Sequence, residues 1–193
     1  LMVSPEAKSA THPLDVAVGM DIAGRAVFMN LASTPHMLIA GATGAGKSSG
    51  INSILTSLLM RSTPDQVRLI LIDPKQVEMG QYARLPHLLT APVTNPKKAA
   101  NALGWAVKEM ERRYRFMQKF GVRNIDGYNQ IVSGEHPAMS QTEMFPPVQP
   151  DAKEASSDDA EGESSTKVEP TAPEQLRPMP KLIIVIDELA DLM

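Results

Sequence analysis

Cysteine is absent from the 193 residues, which excludes disulfide scaffolds, thiolate metal sites and cysteine nucleophiles. The four histidines (12, 36, 87 and 136) are scattered and show no metal-ligand spacing. The longest aliphatic run, Leu182 to Ile186, is far too short to cross a bilayer. No basic stretch followed by an apolar one opens the chain, so a secretory signal is not expected. A large charge of either sign is also missing. Nineteen basic against 22 acidic residues give a formal net charge of −3, which excludes a histone-like polycation. Leu1 is not an initiator methionine and nothing around Met193 signals a stop, so the chain is expected to be a piece of a longer protein.

The near-neutral average hides two populations. Residues 133–180 hold 8 of the 16 prolines and 10 of the 22 acidic residues but only three basic ones. Within them, Asp151 to Thr166 is rich in Ser, Asp and Glu and has almost no apolar side chain to offset its ordering entropy. This stretch is expected to be a disordered insertion. The remainder is mildly basic at +4, which fits an ordinary surface as well as it fits nucleic acid.

Outside the insertion the pattern alternates strand and helix. Val16–Met20 and Arg25–Leu31 flank Asp21-Ile22-Ala23-Gly24, a hairpin turn signal. Met37–Ala40 reads as a short strand entering a glycine-rich turn. Ile51, Ile54, Leu55, Leu58 and Leu59 then fall on one helical face, in a helix ending before Pro64. Val67–Ile72 is a second buried strand. Pro96 and Gly121 bracket a long helix with an expected inner stripe of Leu103, Val107, Met110, Tyr114 and Met117. Lys181–Ile186 is a third strand. Strands apolar throughout and separated by helices predict an α/β fold, a parallel sheet covered on both faces. The expected organisation is an opening segment with a hairpin (1–36), a strand-and-helix core (37–132), the insertion (133–180) and a last strand with the start of a helix (181–193).

Gly41-Ala42-Thr43-Gly44-Ala45-Gly46-Lys47-Ser48 fits G-x-x-x-x-G-K-[ST] without departure, between an expected strand and an expected helix. Glycines let successive N–H groups turn inward around a polyphosphate, and the helix N-terminus adds its positive end. In this chemistry residues 41–48, with Ser49 following, cradle the nucleotide. Lys47 neutralises the β- and γ-phosphates, and the Ser48 hydroxyl ligates Mg²⁺. The third strand ends in Asp187-Glu188, two carboxylates on the rim where ligands of open α/β sheets collect. Asp187 would hold Mg²⁺ through its water shell and Glu188 would polarise the attacking water as general base. Alone, such a pair is more often a strand followed by a helix cap; beside a phosphate loop each half explains the other. A Glu directly after the Asp points to an ATP-hydrolysing motor. Asp73-Pro74-Lys75 ends the second strand on the same rim. It is either a plain turn, or Asp73 contacts the attacking water or the phosphate loop while Lys75 reaches a phosphate or a neighbour.

These stretches resemble the FtsK/SpoIIIE family of DNA translocases from Pro13 to Asn129 and again from Lys181. The resemblance is carried by Pro35–Gly41 running into the phosphate loop, Leu71–Met79, Leu85–Thr90, Lys97–Leu103, Glu109–Tyr114, Gly121–Asn129 and Asp187–Met193. It implies a RecA-like P-loop motor core that binds ATP and Mg²⁺ and works as a homo-hexameric ring around double-stranded DNA. It also implies a role in chromosome segregation at cell division, on the cytoplasmic face of the bacterial membrane. The membrane anchor would lie in segments outside this chain. A neighbouring subunit's arginine finger is expected beyond Met193, so the 193 residues alone are expected to bind nucleotide weakly and hydrolyse little. An acidic insertion of this length departs from the family. The alternative is a related protein-export ATPase of the type VII secretion kind. Arg112, Arg113, Arg115, Lys119 and Arg123 form the densest basic cluster, either a solvated or subunit-facing helix surface or a DNA contact.

Overall fold

The computed structural model describes residues 2–42, 44–134 and 176–192. The expected disordered insertion falls mostly outside these residues, as does Thr43 of the phosphate loop. The chain divides into two compact units, residues 1–112 with 179–193, and residues 113–178.

In the first unit a short helix α1 (Pro5–Ser9) precedes the antiparallel strands β1 (Asp15–Met20) and β2 (Ala26–Asn30). Their turn is built by Asp21, whose Oδ1 accepts from the amides of Ala23 and Arg25, both at 2.9 Å. Gly24 takes the left-handed conformation at φ 75°. A register shift between Ala17 and Gly19 bends β1.

Helix α2 (Lys47–Arg61) follows the glycine-rich loop and buries Ile51, Ile54, Leu55 and Leu58. It lies against β1, to which Ser57 and Ser53 fasten it. The Ala17 amide donates to Ser57 Oγ at 3.0 Å, and Ser53 Oγ donates to the Ala17 carbonyl at 2.8 Å. Strand β3 (Val67–Ile72) pairs in parallel with β4 (Lys181–Ile186), Val67 opposite Lys181 and Ile72 opposite Ile186. The other edge of β3 is extended by parallel bridges from Leu69 to Leu88 and from Ile72 to Val93.

The period-2 alternation of β3 divides the core. Val67, Leu69 and Leu71 join Leu14, Val16, Met79 and the α2 face on one side of the sheet. Ile70 and Ile72 pack with Val93 and Ala99 on the other, where Ala99 belongs to helix α3 (Pro96–Lys119). A strand apolar at every position is thus explained by two covered faces.

Two expectations are corrected. Residues 37–40 form no strand: among the described residues nothing pairs with them, and Leu38 is 79% exposed. An extended apolar segment becomes a strand only when a ladder takes up its amides and carbonyls. Helix α3 packs only the start of the expected stripe, Leu103, against the core. Ala99, Ala102 and Leu103 pack on the sheet, while Val107, Met110 and Tyr114 are 51, 60 and 68% exposed. The reason is length: 24 helical residues run about 36 Å, whereas a six-residue strand offers only about 20 Å of sheet to lie on.

The second unit takes the end of α3 and helix α4 (Ile125–Val132). Gly121 turns the chain at φ 65°, with Val122 N–H bonded to the Met117 carbonyl at 3.0 Å, a left-handed helix stop. Asn124 caps α4 by accepting the Gly127 amide at 2.8 Å. Tyr128 is buried between Phe116 and Phe120, edge-on to both rings at 6.2 and 5.2 Å.

Candidate functional site

The phosphate loop gets its shape from glycine. Gly44 and Gly46 stand at φ 82° and 97°, where any side chain is strained. A Cβ on Gly41 would meet Ala45 Cβ at 3.1 Å, a tight contact that the loop would have to yield to by a few tenths of an ångström. The Ala45 amide bonds to the Ala42 carbonyl at 2.9 Å, and Gly46 is the N-cap of α2. With a left-handed glycine as cap, no side chain takes the first amides of α2, and they remain donors for an anion. Ser49 is exposed on the first turn.

Lys47 opens α2, and its ammonium group meets the end of β4. Nζ donates to the Asp187 carbonyl oxygen at 3.0 Å and to Glu188 Oε2 at 3.4 Å, and lies 3.4 Å from Asp187 Oδ1. Partial desolvation pulls the lysine pKa down, but the facing charges of Asp187 and Glu188 and their hydrogen bonds outweigh it. The net shift is upward from the ordinary value of 10.5, and the group stays protonated. Residues 140 positions apart are therefore brought to one rim.

Asp187 is buried, and its amide donates to the Ile72 carbonyl at 3.0 Å, continuing the parallel ladder by one residue. Its Oδ1 receives no hydrogen bond among the described residues, so only the Lys47 charge faces it. A buried carboxylate oxygen left this way, with the Ser48 hydroxyl on the facing helix, is an oxygen donor set suited to Mg²⁺. That ion binds one or two protein oxygens plus phosphate and water. No cluster of three or more His, Cys, Asp or Glu able to hold a metal exists among the described residues. Any metal here would therefore rest on the nucleotide as much as on the protein.

Three further residues join the rim, of which Glu78 was not singled out as a site residue from the sequence. Glu78 accepts the Ser48 hydroxyl at 2.7 Å. Lys75 lies 3.8 Å from Glu188 Oε2 and 3.4 Å from Asp191 Oδ2, so of its two expected roles it has taken the neighbour. Asp73, fully buried, uses Oδ2 to accept the amides of Glu78 and Met79 at 3.1 and 2.9 Å. It organises its own turn. In the basic cluster, Arg112 pairs with Glu109 at 2.8 Å along one helix.

A sequence model of the FtsK/SpoIIIE family matches residues 2–193. The chain is 46% identical over 182 residues to the DNA translocase FtsK of Tropheryma whipplei, covering 94% of this chain and 20% of that protein. It is 44% identical to the protein of the same name from Bradyrhizobium diazoefficiens, covering 100% and 22%. With Streptomyces avermitilis FtsK the identity is 40%, covering 97% and 18%. The chain thus spans about a fifth of the length of these curated relatives. Among solved structures it is similar to the conjugation coupling protein TcpA of pCW3, a monomer form with ATPγS. The TM-score is 0.61 at 24% identity, over 94% of this chain and 38% of that one. It is also similar to the cytoplasmic domain of the type VII secretion ATPase EccC of Thermomonospora curvata. There the TM-score is 0.62 at 21% identity, over 95% and 18%. At these identities the likeness is one of fold, and the fold is that of the P-loop ATPases.

Proposed function

Because this chain belongs to the FtsK/SpoIIIE family, we propose that it is the ATP-binding part of a motor that translocates double-stranded DNA. The observation that carries this reading is the meeting of Lys47 with Asp187 and Glu188 within 3.4 Å across the rim of the sheet. The relatives' name, DNA translocase, supplies the substrate.

In this reading the loop 41–48 wraps the polyphosphate with backbone N–H groups, and the left-handed glycine cap leaves the first α2 amides aimed at it. Lys47 would neutralise the terminal phosphates, and Ser48 and Asp187 would hold Mg²⁺, which would supply charge withdrawal from the polyphosphate when bound. Glu188 takes a proton from the attacking water. The contact of Lys47 with Glu188 couples these steps. Phosphate oxygens compete for the ammonium, and as Lys47 turns to them the Glu188 carboxylate is released from that contact toward the attacking water. The wider reading is a homo-hexameric ring with ATP at subunit interfaces, serving chromosome segregation at the membrane. No helix among the described residues is long and apolar enough to cross a membrane, so anchoring would fall to other segments.

The deciding experiment is ATP turnover by the full-length protein with and without duplex DNA, over a salt series. Stimulation by duplex that falls steeply with salt is expected from phosphate-backbone contacts. Turnover indifferent to DNA would refute the translocase reading and turn the search to a protein substrate.

A further inference from the structure

The Ser48 hydroxyl is held from a direction that the phosphate-loop pattern does not account for. Glu78 Oε1 accepts its proton at 2.7 Å, a charge-assisted bond, across 30 residues of chain. The segment that delivers Glu78 is fixed at both ends. At one end the buried Asp73 accepts the amides of Glu78 and Met79 through one oxygen, and its carbonyl accepts the Gln76 amide at 3.2 Å. At the other end Met79 is fully buried in the core between α2 and β3. Between them Gln76 is held at φ 60°, the one left-handed residue other than glycine among those described. A second tether lies one helical turn along α2, where the Tyr82 hydroxyl donates to Asn52 Oδ1 at 2.7 Å. A strained, doubly anchored turn thus aims one carboxylate at one hydroxyl.

A serine hydroxyl has a single proton and two acceptor lone pairs. With the proton committed to Glu78, both lone pairs of Ser48 Oγ are left for a cation, and the anionic acceptor makes that oxygen more electron-rich. Carboxylates that orient metal ligands in this way are a recurrent feature of metal sites. We propose that Glu78, held by the 73–79 turn, is a positioning residue that fixes the Ser48 hydroxyl with its lone pairs toward the Mg²⁺ of the bound nucleotide. The inference rests on the ATP-site reading above and deepens it. Glu78 thus acts on the Ser48 side of the site, and Asp187 and Glu188 on the Lys47 side. Lys47 is engaged by the latter two and not by Glu78.

The test is binding of a fluorescent non-hydrolysable ATP analogue to the full-length protein, titrated with MgCl₂ and repeated in EDTA. Glu78→Ala is expected to raise the Mg²⁺ midpoint by roughly 10- to 100-fold, with affinity in EDTA within about twofold of wild type. Glu78→Gln, which keeps an acceptor oxygen without the charge, is expected to fall between. Tyr82→Phe removes the neighbouring tether and is expected to leave the midpoint in place. An unchanged midpoint in Glu78→Ala overturns the proposal. So does a lowered one, which would make Glu78 a competitor of the cation. An equal shift in Tyr82→Phe overturns it as well, because the turn would then act only as a structural brace. A wild type whose affinity ignores Mg²⁺ also overturns the proposal, whereas a wild type that does not bind the analogue at all refutes the ATP-site reading itself, and no variant is needed to tell the two apart.

Discussion

The helix that carries Lys47 and Ser48 is fastened to the hairpin by two serines one turn apart, and their removal should cost unequal amounts. Ala17 and Ser57 are both about 1% exposed. Ser57 Oγ accepts the Ala17 amide at 3.0 Å and donates to the Ser53 carbonyl at 2.7 Å. Ser57→Ala leaves the Ala17 N–H buried without an acceptor, a loss of about 1–3 kcal/mol. Ser53→Ala removes a donor from the Ala17 carbonyl instead, an acceptor with a second lone pair, and should cost about 1 kcal/mol. Each change also gains roughly 0.5 kcal/mol of helix propensity, which cancels in the comparison. The expected net destabilisation is about 0.5–2.5 kcal/mol for Ser57→Ala and about zero to 1 for Ser53→Ala. Urea unfolding monitored on both variants measures this, provided the m-value is unchanged. A Ser57→Ala protein as stable as wild type, or one no weaker than Ser53→Ala, would refute the argument that the Ala17 amide depends on that hydroxyl.

Lys47→Ala is expected to abolish nucleotide binding, and Glu188→Gln to retain ATP while lowering turnover by about 10²–10⁴-fold; equilibrium binding and single-turnover hydrolysis distinguish the two, and normal turnover in Glu188→Gln would remove its role as base. The upward shift of the Lys47 pKa fixes a pH dependence. The ion pair's contribution is complete below the ordinary lysine value of 10.5 and is lost only as pH rises through the higher folded value. Nucleotide affinity should therefore show no lysine-linked loss from about pH 7 to 9.

What could be read from the sequence was encoded locally. The loop spacing, the Asp21 turn and the unbroken apolar run of β3 each carry their structural reason within a few residues. Residues 37–40 were misread because a strand is a property of a pair, and the partner ladder is not written in the segment. The α3 stripe was misread beyond Leu103 because the extent of the sheet beneath a helix is not written in the helix itself. Glu78 was passed over for a third reason. In sequence it is an ordinary polar residue after a turn, and its partner lies 30 positions upstream. The signal that could have exposed it was the neighbouring Met79, a hydrophobe directly after a polar turn, anchoring the segment that holds the carboxylate.

Asp73 and Asp187 show how two strands with the same ending acquire different chemistry. Ile72 and Ile186 are register partners, so the two aspartates leave the sheet side by side. After Asp73 come Pro74, which lacks an N–H, and a left-handed Gln76, which fold the chain back so that its amides converge on Asp73 Oδ2. After Asp187 the chain runs on into Glu188 and the single helical turn Leu189–Leu192, and no amide returns to the Asp187 side chain among the described residues. Asp73 spends Oδ2 on shaping a turn while its Oδ1, like Asp187 Oδ1, accepts no hydrogen bond among the described residues; of these two oxygens it is Asp187 Oδ1 that faces Lys47. Asp73 still reaches the site, but through Glu78, so the rim acquires two acidic arms against α2, one on Lys47 and one on Ser48. Substituting Asp73 should therefore release Glu78 and act first on the Ser48 side, reaching the Lys47 side only through the contact of Lys75 with Glu188.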